Sequence, residues 1–311
     1  MTEATIIACG CPRERCAARV FKGKPRSEAR LKLAQMMLED QEVADAYQEL
    51  FDDLRLAPPL GADNSILLTS APPDEGKTTV SLCLAITASY ARQSVLLMDG
   101  DQRRSSLTAA LGGDGNAGLI EVLLGQAEAP EAIRPAAIEG PKTAGVSFMP
   151  AGRKPPASLG ALDWSKTRPA FKCISQEFGF VFLDSPPVLA ANDALLFAGT
   201  VDAVLLVVGA ASANLDEIKR AKQLLESIGA PIIGAVPNRF EPKGSWPFEP
   251  ALRRLLPAVA HVSDASSAPS NCPPTVRDVG LPSLCGERAE PTWPTSPRSW
   301  IRLTRRVVRR Y

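Results

Sequence analysis

The sequence predicts an α/β fold in which a mostly parallel β-sheet carries helices on both faces. Between residues 64 and 239, short apolar runs alternate with stretches in which apolar residues recur at helical spacing. The runs are apolar throughout, which is typical of parallel strands buried on both faces. Regular alternation of strand and helix is in turn typical of a parallel sheet covered by its crossover helices.

The segment before this sheet is predicted to be helical. Residues 1–26 show no periodicity, and we expect a disordered N-terminus there. From 27 to 56, apolar side chains recur every three or four residues, which predicts one or two amphipathic helices within an N-terminal extension of residues 27–60. Pro58 and Pro59 are expected to end these helices before the chain turns into the first strand.

The central region, residues 61–240, is predicted to hold the sheet. Its strands are expected at 66–68, 95–98, 146–149, 180–183, 203–208 and 232–236. Its helices are expected at 79–92, 170–178, 193–198 and 214–228. The last helix has the clearest boundaries, because Asn214 can cap its start and Gly229 can end it.

A phosphate-binding loop joins the first predicted strand to the first helix of this region. Residues 71–78 read Ala-Pro-Pro-Asp-Glu-Gly-Lys-Thr. A Gly-Lys-Thr turn at a helix start directs backbone N–H groups at an anion, while the lysine reaches terminal phosphates and the threonine hydroxyl is offered to Mg²⁺. The pattern predicts a P-loop NTPase whose phosphate contacts come from Asp74, Glu75, Gly76, Lys77, Thr78 and Thr79.

Carboxylates follow two further predicted strands. Asp99 and Asp101 come directly after the second strand, and Asp184 follows the fourth. Ligands bind at the carboxyl edge of such sheets, so we expect the three carboxylates to converge beside Lys77. A single aspartate at a strand end is commonly an ordinary turn residue. Three that follow buried strands beside a phosphate loop favour a functional site.

The overall composition excludes several classes of protein. A chain of 311 residues with 45% hydrophobic content can bury a substantial core, and a net charge of +1 argues against a general nucleic-acid binder. The sequence contains neither an 18-residue apolar run nor a signal-peptide pattern, so a cytoplasmic location is expected. Seven scattered cysteines form no disulfide framework, and Cys9, Cys11 and Cys16 lack a nearby fourth metal ligand.

Residues 241–311 are predicted to form a proline-rich, disordered tail, because prolines accumulate there and apolar periodicity is lost. A shifted reading frame would give a similar composition. Residues 298–311 combine an apolar face with six arginines. That pattern is typical either of a basic helix lying on a membrane surface or of a solvated basic end. The first interpretation would place the protein at the inner face of the plasma membrane.

Three ordered motifs resemble those of the bacterial tyrosine kinases, or BY-kinases, of capsule and exopolysaccharide biosynthesis, which are related to the ParA/MinD superfamily. Residues 70–79 are similar to the family's Walker A motif, 95–104 to its Walker A′ motif and 182–188 to its Walker B motif. Shorter matches at Gly118-Leu119 and Pro150-Ala151-Gly152 lie between them. The resemblance spans about residues 45–239.

The resemblance implies Mg²⁺-dependent transfer of a phosphoryl group from ATP to tyrosine. It implies that Asp99 is the general base, with the roles of Asp99 and Asp101 open to exchange. The metal would be served by three residues, Thr78, Asp101 and Asp184. Asn238 matches a position that contacts the nucleotide base. A separate membrane adaptor, a polysaccharide co-polymerase, would be the partner.

Differences from the family leave other functions open. The chain has three tyrosines, Tyr47, Tyr90 and Tyr311, instead of a terminal tyrosine cluster, so cluster autophosphorylation is excluded. This scarcity favours a nucleotide-dependent regulator of the co-polymerase without kinase activity. A ParA/MinD-type ATPase is a further alternative, although Pro72 and Pro73 stand where that type carries its signature lysine. Gln48 and Phe51 replace the arginines of ring-forming contacts, which leaves homo-oligomerisation undecided.

Overall fold

A seven-stranded sheet forms the centre of the computed structural model, which describes residues 26–56, 64–113, 117–136, 138, 145–153, 164–210, 212–238 and 249–255. The strands lie in the order β3-β4-β2-β5-β1-β6-β7, and β3 with β4 is the antiparallel pair among parallel ones. The predicted fold class is confirmed. The strands are β1 Ser65–Thr69, β2 Val95–Asp99, β3 Arg134–Pro135, β4 Val146–Met149, β5 Phe180–Asp184, β6 Ala203–Gly209 and β7 Ile232–Asn238.

Helices precede, connect and follow these strands. They are α1 Arg26–Glu39, α2 Gln41–Leu56, α3 Lys77–Tyr90, α4 Ser106–Leu111, α5 Leu119–Leu123, α6 Ala129–Ala132, α7 Trp164–Ser175, α8 Asp193–Ala198, α9 Leu215–Ser227 and α10 Glu249–Leu255. The α9 boundaries agree with the prediction: the Asn214 side chain accepts hydrogen bonds from the N–H groups of Asp216 and Glu217, and Gly229 has a φ of 69°. Helix α7 begins earlier than predicted and includes Pro169, which removes one backbone hydrogen bond.

Both faces of the sheet are buried, as the uniformly apolar strands predict. Along β1, the Leu67 side chain packs into one hydrophobic cluster, whereas Ile66 and Leu68 pack into the cluster on the opposite face. This alternation follows from the two-residue period of a strand. Within the described residues, no helix is long and apolar enough to cross a membrane.

The N-terminal helices belong to the hydrophobic cluster that contains Ile66 and Leu68. Helices α1 and α2 match the prediction for 27–56, and the side chains of Val43, Leu50 and Leu54 on α2 pack with residues of α3 and the sheet. The Phe51 ring meets the Phe180 ring of β5 edge-on at a centroid distance of 4.9 Å. The N-terminal extension therefore covers one face of the sheet and contributes directly to its core.

We expect Phe51→Ala to destabilise the fold by about 3–5 kcal/mol, the usual cost of removing a buried phenylalanine. The Phe51 side chain is fully buried, so its removal leaves a cavity between α2 and β5. Denaturant unfolding would measure this loss. Asp45→Ala on the exposed side of the same helix is the control and should change stability by about 0.5 kcal/mol or less. Equal stability of Phe51→Ala and the wild type would contradict this packing role.

Part of the predicted tail is ordered. The prediction of disorder from residue 241 onward is wrong for residues 249–255, which form α10. Leu252 is 2% exposed and joins the cluster that contains α9, with Leu255 packed against it. Pro250 lies in the first turn of α10, where a missing N–H costs no helical hydrogen bond, so a proline-rich composition does not prevent the helix. The basic segment 298–311 lies outside the described residues.

Candidate nucleotide-binding site

The carboxyl ends of β1, β2 and β5 meet at one edge of the sheet, as expected from the sequence. Asp99 at the end of β2 is paired in register with Asp184 at the end of β5. The Gly100 N–H donates a 2.7 Å hydrogen bond to the Asp184 carbonyl, which holds the two strand ends together. Because β1 lies beside β5, the loop that follows β1 begins at the same edge. The aspartates and the phosphate-binding loop are therefore neighbours.

The phosphate-binding loop opens directly into α3 through Gly76. Gly76 has a φ of 88°, a conformation that glycine adopts without strain, and no side chain caps the helix. The N–H groups of Thr79 and Val80 donate to the Gly76 carbonyl. The N–H groups of Lys77 and Thr78 have no acceptor within the helix, because no helical carbonyl precedes the first turn of an α-helix. These donors and the helix dipole are suited to bind an anion.

Lys77 is held beneath the loop by hydrogen bonds. Its side chain is 8% exposed, and its Nζ donates to Ser70 Oγ at 3.0 Å; Ser70 Oγ in turn donates to the Pro72 carbonyl at 2.6 Å. Burial lowers the pKa of Lys77, and the nearby carboxylates of Asp184 and Asp101 oppose this shift. Lys77 is thus a desolvated cation beside two carboxylates. Ser70 has no signal in the sequence beyond its place in the motif.

Thr78 and Asp184, which the motifs assign to the metal site, form a hydroxyl–carboxylate pair. Thr78 Oγ1 donates to Asp184 Oδ2 at 2.7 Å. Burial, more than any neighbouring charge, raises the pKa of Asp184 to about 6. Asp184 Oδ1 is buried and makes no hydrogen bond within the described part of the chain. An unpartnered carboxylate oxygen beside a threonine hydroxyl is a donor set that suits Mg²⁺, which takes few protein ligands and keeps several waters.

Asp99 is fully buried behind this pair, with its carboxylate oriented from three directions. Its Oδ1 accepts the Asp101 N–H at 3.0 Å, and its Oδ2 accepts the N–H and hydroxyl of Thr108, each at 2.7 Å. Burial raises the pKa of Asp99 to about 7, and the Asp184 carboxylate adds to the shift. Three of the roughly four acceptor positions of the carboxylate are filled, which leaves one on Oδ1.

Asp101 lies closer to solvent than Asp99. Its side chain is 8% exposed, and its Oδ1 accepts the N–H groups of Arg103 and Arg104 at 3.2 and 3.1 Å. These bonds turn the Asp-Gly-Asp-Gln-Arg-Arg segment back on itself above β2. The charge of Asp101 acts on the pKa values of both Lys77 and Asp184, so the carboxylate lies within electrostatic range of both.

An ion pair crosses the mouth of the site. The Arg104 guanidinium donates to Asp74 Oδ1, and both side chains are at least half exposed. Asp74 has a φ of 64°, so the position that usually carries glycine keeps its left-handed backbone with an aspartate. Both charges act on the pKa of Lys77. The sequence indicates a carboxylate at Asp74, but it does not indicate that Arg104 is its partner.

The side chain of Glu75 points away from the phosphate side of the loop. Its carboxylate accepts the Gly209 N–H at the end of β6 and the Ser212 hydroxyl, the latter at 2.9 Å. Asn238 at the end of β7 donates from Nδ2 to the Glu75 carbonyl at 2.8 Å. Glu75 and Asn238 are thus in direct contact, although 163 residues separate them along the chain.

The shorter motif matches lie together behind Asp99. The Leu119 N–H donates to the Pro150 carbonyl at 2.8 Å, and a Cβ at Gly118 would overlap the backbone of Gly152. Thr108 Oγ1, which donates to Asp99, also accepts the Ala151 N–H at 2.9 Å. Thr108 was not predicted as a site residue, because a lone threonine four positions after a motif has no distinguishing pattern.

Comparison with known proteins identifies the family of the chain. A family model described as the CobQ/CobB/MinD/ParA nucleotide binding domain matches residues 66–258, more than half of the sequence. The chain belongs to this family. The match includes α10, in agreement with its packing on α9.

Individual relatives of the chain are named tyrosine kinases. Tyrosine-protein kinase YwqD of Bacillus subtilis is 28% identical over 176 residues, which cover 56% of this chain and 71% of YwqD. The kinase domain of the Escherichia coli tyrosine kinase ETK superimposes with a TM-score of 0.60 at 28% identity, covering 67% of this chain and 82% of that domain. The resemblance to bacterial tyrosine kinases that the motifs predict is confirmed.

A cell division ATPase is also among the structural neighbours. The Pyrococcus furiosus cell division ATPase MinD superimposes with a TM-score of 0.53 at 26% identity, covering 64% of this chain and 82% of that protein. The shared nucleotide-binding domain therefore occurs with both activities. The choice between them depends on the residues of the site.

Proposed function

We propose that this protein is an ATP-dependent protein-tyrosine kinase that regulates exopolysaccharide or capsule biosynthesis. The observation that supports this function best is the placement of Lys77 and the open start of α3 beside the aspartates that end β2 and β5. The three elements of phosphoryl transfer are thereby present together: an anion cradle, oxygen ligands for a metal ion, and a carboxylate with a raised pKa.

The phosphate groups of ATP are assigned to the loop and to Lys77. The backbone N–H groups of Gly76, Lys77 and Thr78 would donate to phosphate oxygens, and the Lys77 ammonium would exchange its bond to Ser70 for one to a terminal phosphate. Because Lys77 is desolvated, its attraction for a phosphate is stronger than that of an exposed lysine.

Thr78 and Asp184 are the residues proposed to hold Mg²⁺, with Asp101 contributing through water. Asp184 Oδ1 supports this assignment, because a buried carboxylate oxygen without a hydrogen bond is costly unless a ligand occupies it. When bound, Mg²⁺ neutralises charge that develops on the transferring phosphoryl group. Its positive charge would also favour the ionised form of Asp184, whose pKa is raised to about 6 here.

Asp99 is the proposed general base. In the reaction, the bond between the γ-phosphorus and the bridging oxygen of ADP breaks, a bond forms between the phenol oxygen and that phosphorus, and the phenol proton passes to Asp99. A pKa of about 7 suits a base at neutral pH. Thr108 orients the carboxylate as the third group orients the base in other catalytic sets. The greater exposure of Asp101 makes it the alternative.

The membrane adaptor and the polysaccharide process are assigned from the motif resemblance alone. In this proposal the partner is a separate membrane protein, a polysaccharide co-polymerase. The chain phosphorylates tyrosines of that partner or of another protein. Oligomer formation and membrane contact through residues 298–311 remain predictions.

Burial restricts which tyrosines of the chain could accept phosphate. Tyr47 is buried, its hydroxyl is paired with Cys83, and burial raises the pKa of that hydroxyl well above its usual value. Tyr90, at the end of α3, is 44% exposed. Helix α3 begins at the phosphate loop and spans 14 residues, so Tyr90 lies about 20 Å from its own site and would be reached by a second copy. Tyr311 lies outside the described residues.

Labelled ATP tests the proposal. Purified protein would be incubated with γ-labelled Mg·ATP, alone and with a tyrosine-containing copolymer, and the label located by phosphoamino-acid analysis. We expect label on tyrosine, dependent on Mg²⁺, with none on Tyr47. The Lys77→Met protein is the control for contaminating kinases. Transfer by Lys77→Met at the wild-type rate, or no label on tyrosine in either arm, would contradict the proposal.

We expect Asp74→Gly to bind ATP a few-fold more tightly than the wild type. The substitution removes a carboxylate from the mouth of the phosphate site, releases Arg104 and restores the residue that a φ of 64° favours. The gain should be small because both charges are solvent-exposed. Titration with ATP and with AMP would measure it, and AMP affinity should not change. Weaker ATP binding would instead show that the ion pair supports the site.

A MinD-like ATPase is the second candidate, supported by the likeness to the Pyrococcus protein. It predicts that water, and not a tyrosine, accepts the phosphoryl group. A regulator without kinase activity predicts that ATP binds but is not consumed. The labelling experiment separates the three functions, because a kinase leaves the label on tyrosine, an ATPase in inorganic phosphate and a regulator in unconsumed ATP.

A further inference from the structure

The Glu75 side chain connects the phosphate loop to the far side of the sheet. Its carboxylate is 2% exposed and accepts hydrogen bonds from the Gly209 N–H and the Ser212 hydroxyl, which belong to the end of β6 and the turn after it. The Ser212 N–H also donates to the Gly209 carbonyl, which closes the turn. A single buried carboxylate thus fixes two groups of a segment more than 130 residues away in the sequence.

Glu75 also fixes the end of β7, through its backbone. Its carbonyl accepts Asn238 Nδ2, and since a carbonyl can only accept, the bond determines which end of the Asn238 amide faces it. The Ala210 N–H donates to the Asn238 carbonyl at 2.7 Å, and Gly209 is paired with Asn238 across the two strands. The ends of β6 and β7 therefore share one hydrogen-bonded unit with Glu75.

Gly209 leaves room for this carboxylate because it has no side chain. A Cβ at Gly209 would overlap the Glu75 carboxylate and would lie 2.7 Å from Ser212 Oγ. The conflict is with the end of a flexible side chain and not with backbone, so an alanine at this position would displace the Glu75 carboxylate and leave the strand in place. Gly209 is not among the residues with positive φ, which makes alanine compatible with its backbone.

The position of this unit relative to the reacting groups is fixed by the strand order. Across the sheet the strands lie in the order β2-β5-β1-β6-β7. Asp99 and Asp184, at the ends of β2 and β5, therefore lie on one side of the loop that follows β1. Glu75 connects that loop to β6 on its other side. The terminal phosphate must meet the carboxylates and Lys77. A nucleoside attached to those phosphates would then extend in the opposite direction, towards the ends of β6 and β7.

We propose that the Glu75 carboxylate is a positioning residue that aligns the nucleoside side of the site, formed by the ends of β6 and β7, with the phosphate loop. This inference rests on the proposed nucleotide-binding function. With the carboxylate in place, Gly209, Ser212 and the Asn238 amide are preorganised for the nucleoside. Without it, the loop still presents its N–H groups and Lys77 to phosphates, but the nucleoside side must be ordered on binding, which lowers affinity for the nucleoside part alone.

Comparing ATP with inorganic tripolyphosphate separates the two sides of the site, because tripolyphosphate offers the phosphates without a nucleoside. For Glu75→Ala we expect ATP affinity to fall about tenfold while tripolyphosphate affinity stays within about twofold, an effect of preorganisation on one part of the ligand. Glu75→Gln, which keeps an acceptor oxygen for one of the two donors, should lose less. A purely structural role would weaken both ligands together and would not be rescued by glutamine.

Gly209→Ala tests the same claim without removing the carboxylate. We expect it to reproduce the change in the ATP-to-tripolyphosphate affinity ratio, and the double variant with Glu75→Ala to be no worse than either single variant. Gly199→Ala is the matched control, because a Cβ there would meet its nearest neighbour at 3.6 Å. Calorimetric titration of both ligands, with circular dichroism to confirm folding, provides the measurement.

The outcomes are distinct from those for the function itself. If the wild-type protein binds neither ATP nor tripolyphosphate, the proposed function fails. If the wild type binds both and the affinity ratio is unchanged in Glu75→Ala and in Gly209→Ala, the positioning role is wrong. If both ligands weaken in parallel, or if the effects of the two variants add in full, Glu75 serves only the stability of the loop and the inference is overturned.

Discussion

Lys77→Met should weaken ATP binding by at least about a hundredfold. The lysine is desolvated, and removing one partner from a buried or charge-assisted interaction costs about 3 kcal/mol or more. Asp184 and Asp101 would then face the phosphates without the cation that offsets them. Methionine keeps the length and apolar stem of the side chain, so the loop should remain folded. Fluorescence or calorimetric titration with Mg·ATP would measure the loss.

Lys219→Met is the matched control for this experiment. Lys219 lies on α9, is about half exposed and pairs with Asp216 at 3.0 Å. Its replacement by methionine therefore removes one positive charge without changing the loop. It should bind ATP as the wild type does. An unchanged affinity in Lys77→Met, with circular dichroism showing a folded protein, would contradict the assignment of the site.

Asp99→Asn should reduce phosphoryl transfer to tyrosine by about 10²-fold or more while changing Mg·ATP affinity only a few-fold. The rate effect is the usual scale for losing a general base. Asparagine has a single acceptor oxygen, which can take either the Asp101 N–H or the two Thr108 donors, so part of the local hydrogen bonding should persist. Single-turnover transfer, measured beside an ATP titration, separates the two effects. An equal loss of binding and turnover would instead make Asp99 part of the metal site.

The pH dependence of the same reaction gives a second test of Asp99. A base acts in its ionised form, and burial raises the pKa of Asp99 to about 7. In the wild type, kcat/KM should therefore rise as the pH increases through about 7 and level off above it. That limb should be absent in Asp99→Asn. Asp216→Asn, on the exposed side of α9, should retain it. A limb that persists in Asp99→Asn and disappears in Asp101→Asn would assign the base to Asp101.

The fold was predictable because the composition of its main strands shows that they are buried on both faces. Residues 95–98 and 180–183 are apolar at every position, and strands buried on both faces require this. Helix α9 was predictable to within a residue because Asn214 and Gly229 act locally. The two-residue β3 and helices α4 to α6, of at most six residues, are too short for a period to be visible. Helix α10 was missed because its burial depends on a distant surface of α9.

The site residues, like the fold, were predictable from the sequence only in part. Lys77, Thr78, Asp99 and Asp184 were predictable because each occupies a fixed offset from a strand end or helix start. The partners that orient them were not, because Thr108 and Ser212 meet the site only through tertiary structure. The direction of the Glu75 side chain likewise follows from a contact with Gly209, a glycine without any motif of its own.

The fate of the γ-phosphoryl group tests the central claim most directly. Wild-type protein and Lys77→Met would be incubated with γ-labelled Mg·ATP and a tyrosine copolymer, and the label divided between phosphotyrosine and inorganic phosphate as a function of time. We predict that the wild type transfers label to tyrosine faster than it releases inorganic phosphate, and that Lys77→Met does neither. Release of inorganic phosphate by the wild type without any phosphotyrosine would contradict the kinase assignment and establish an ATPase in its place.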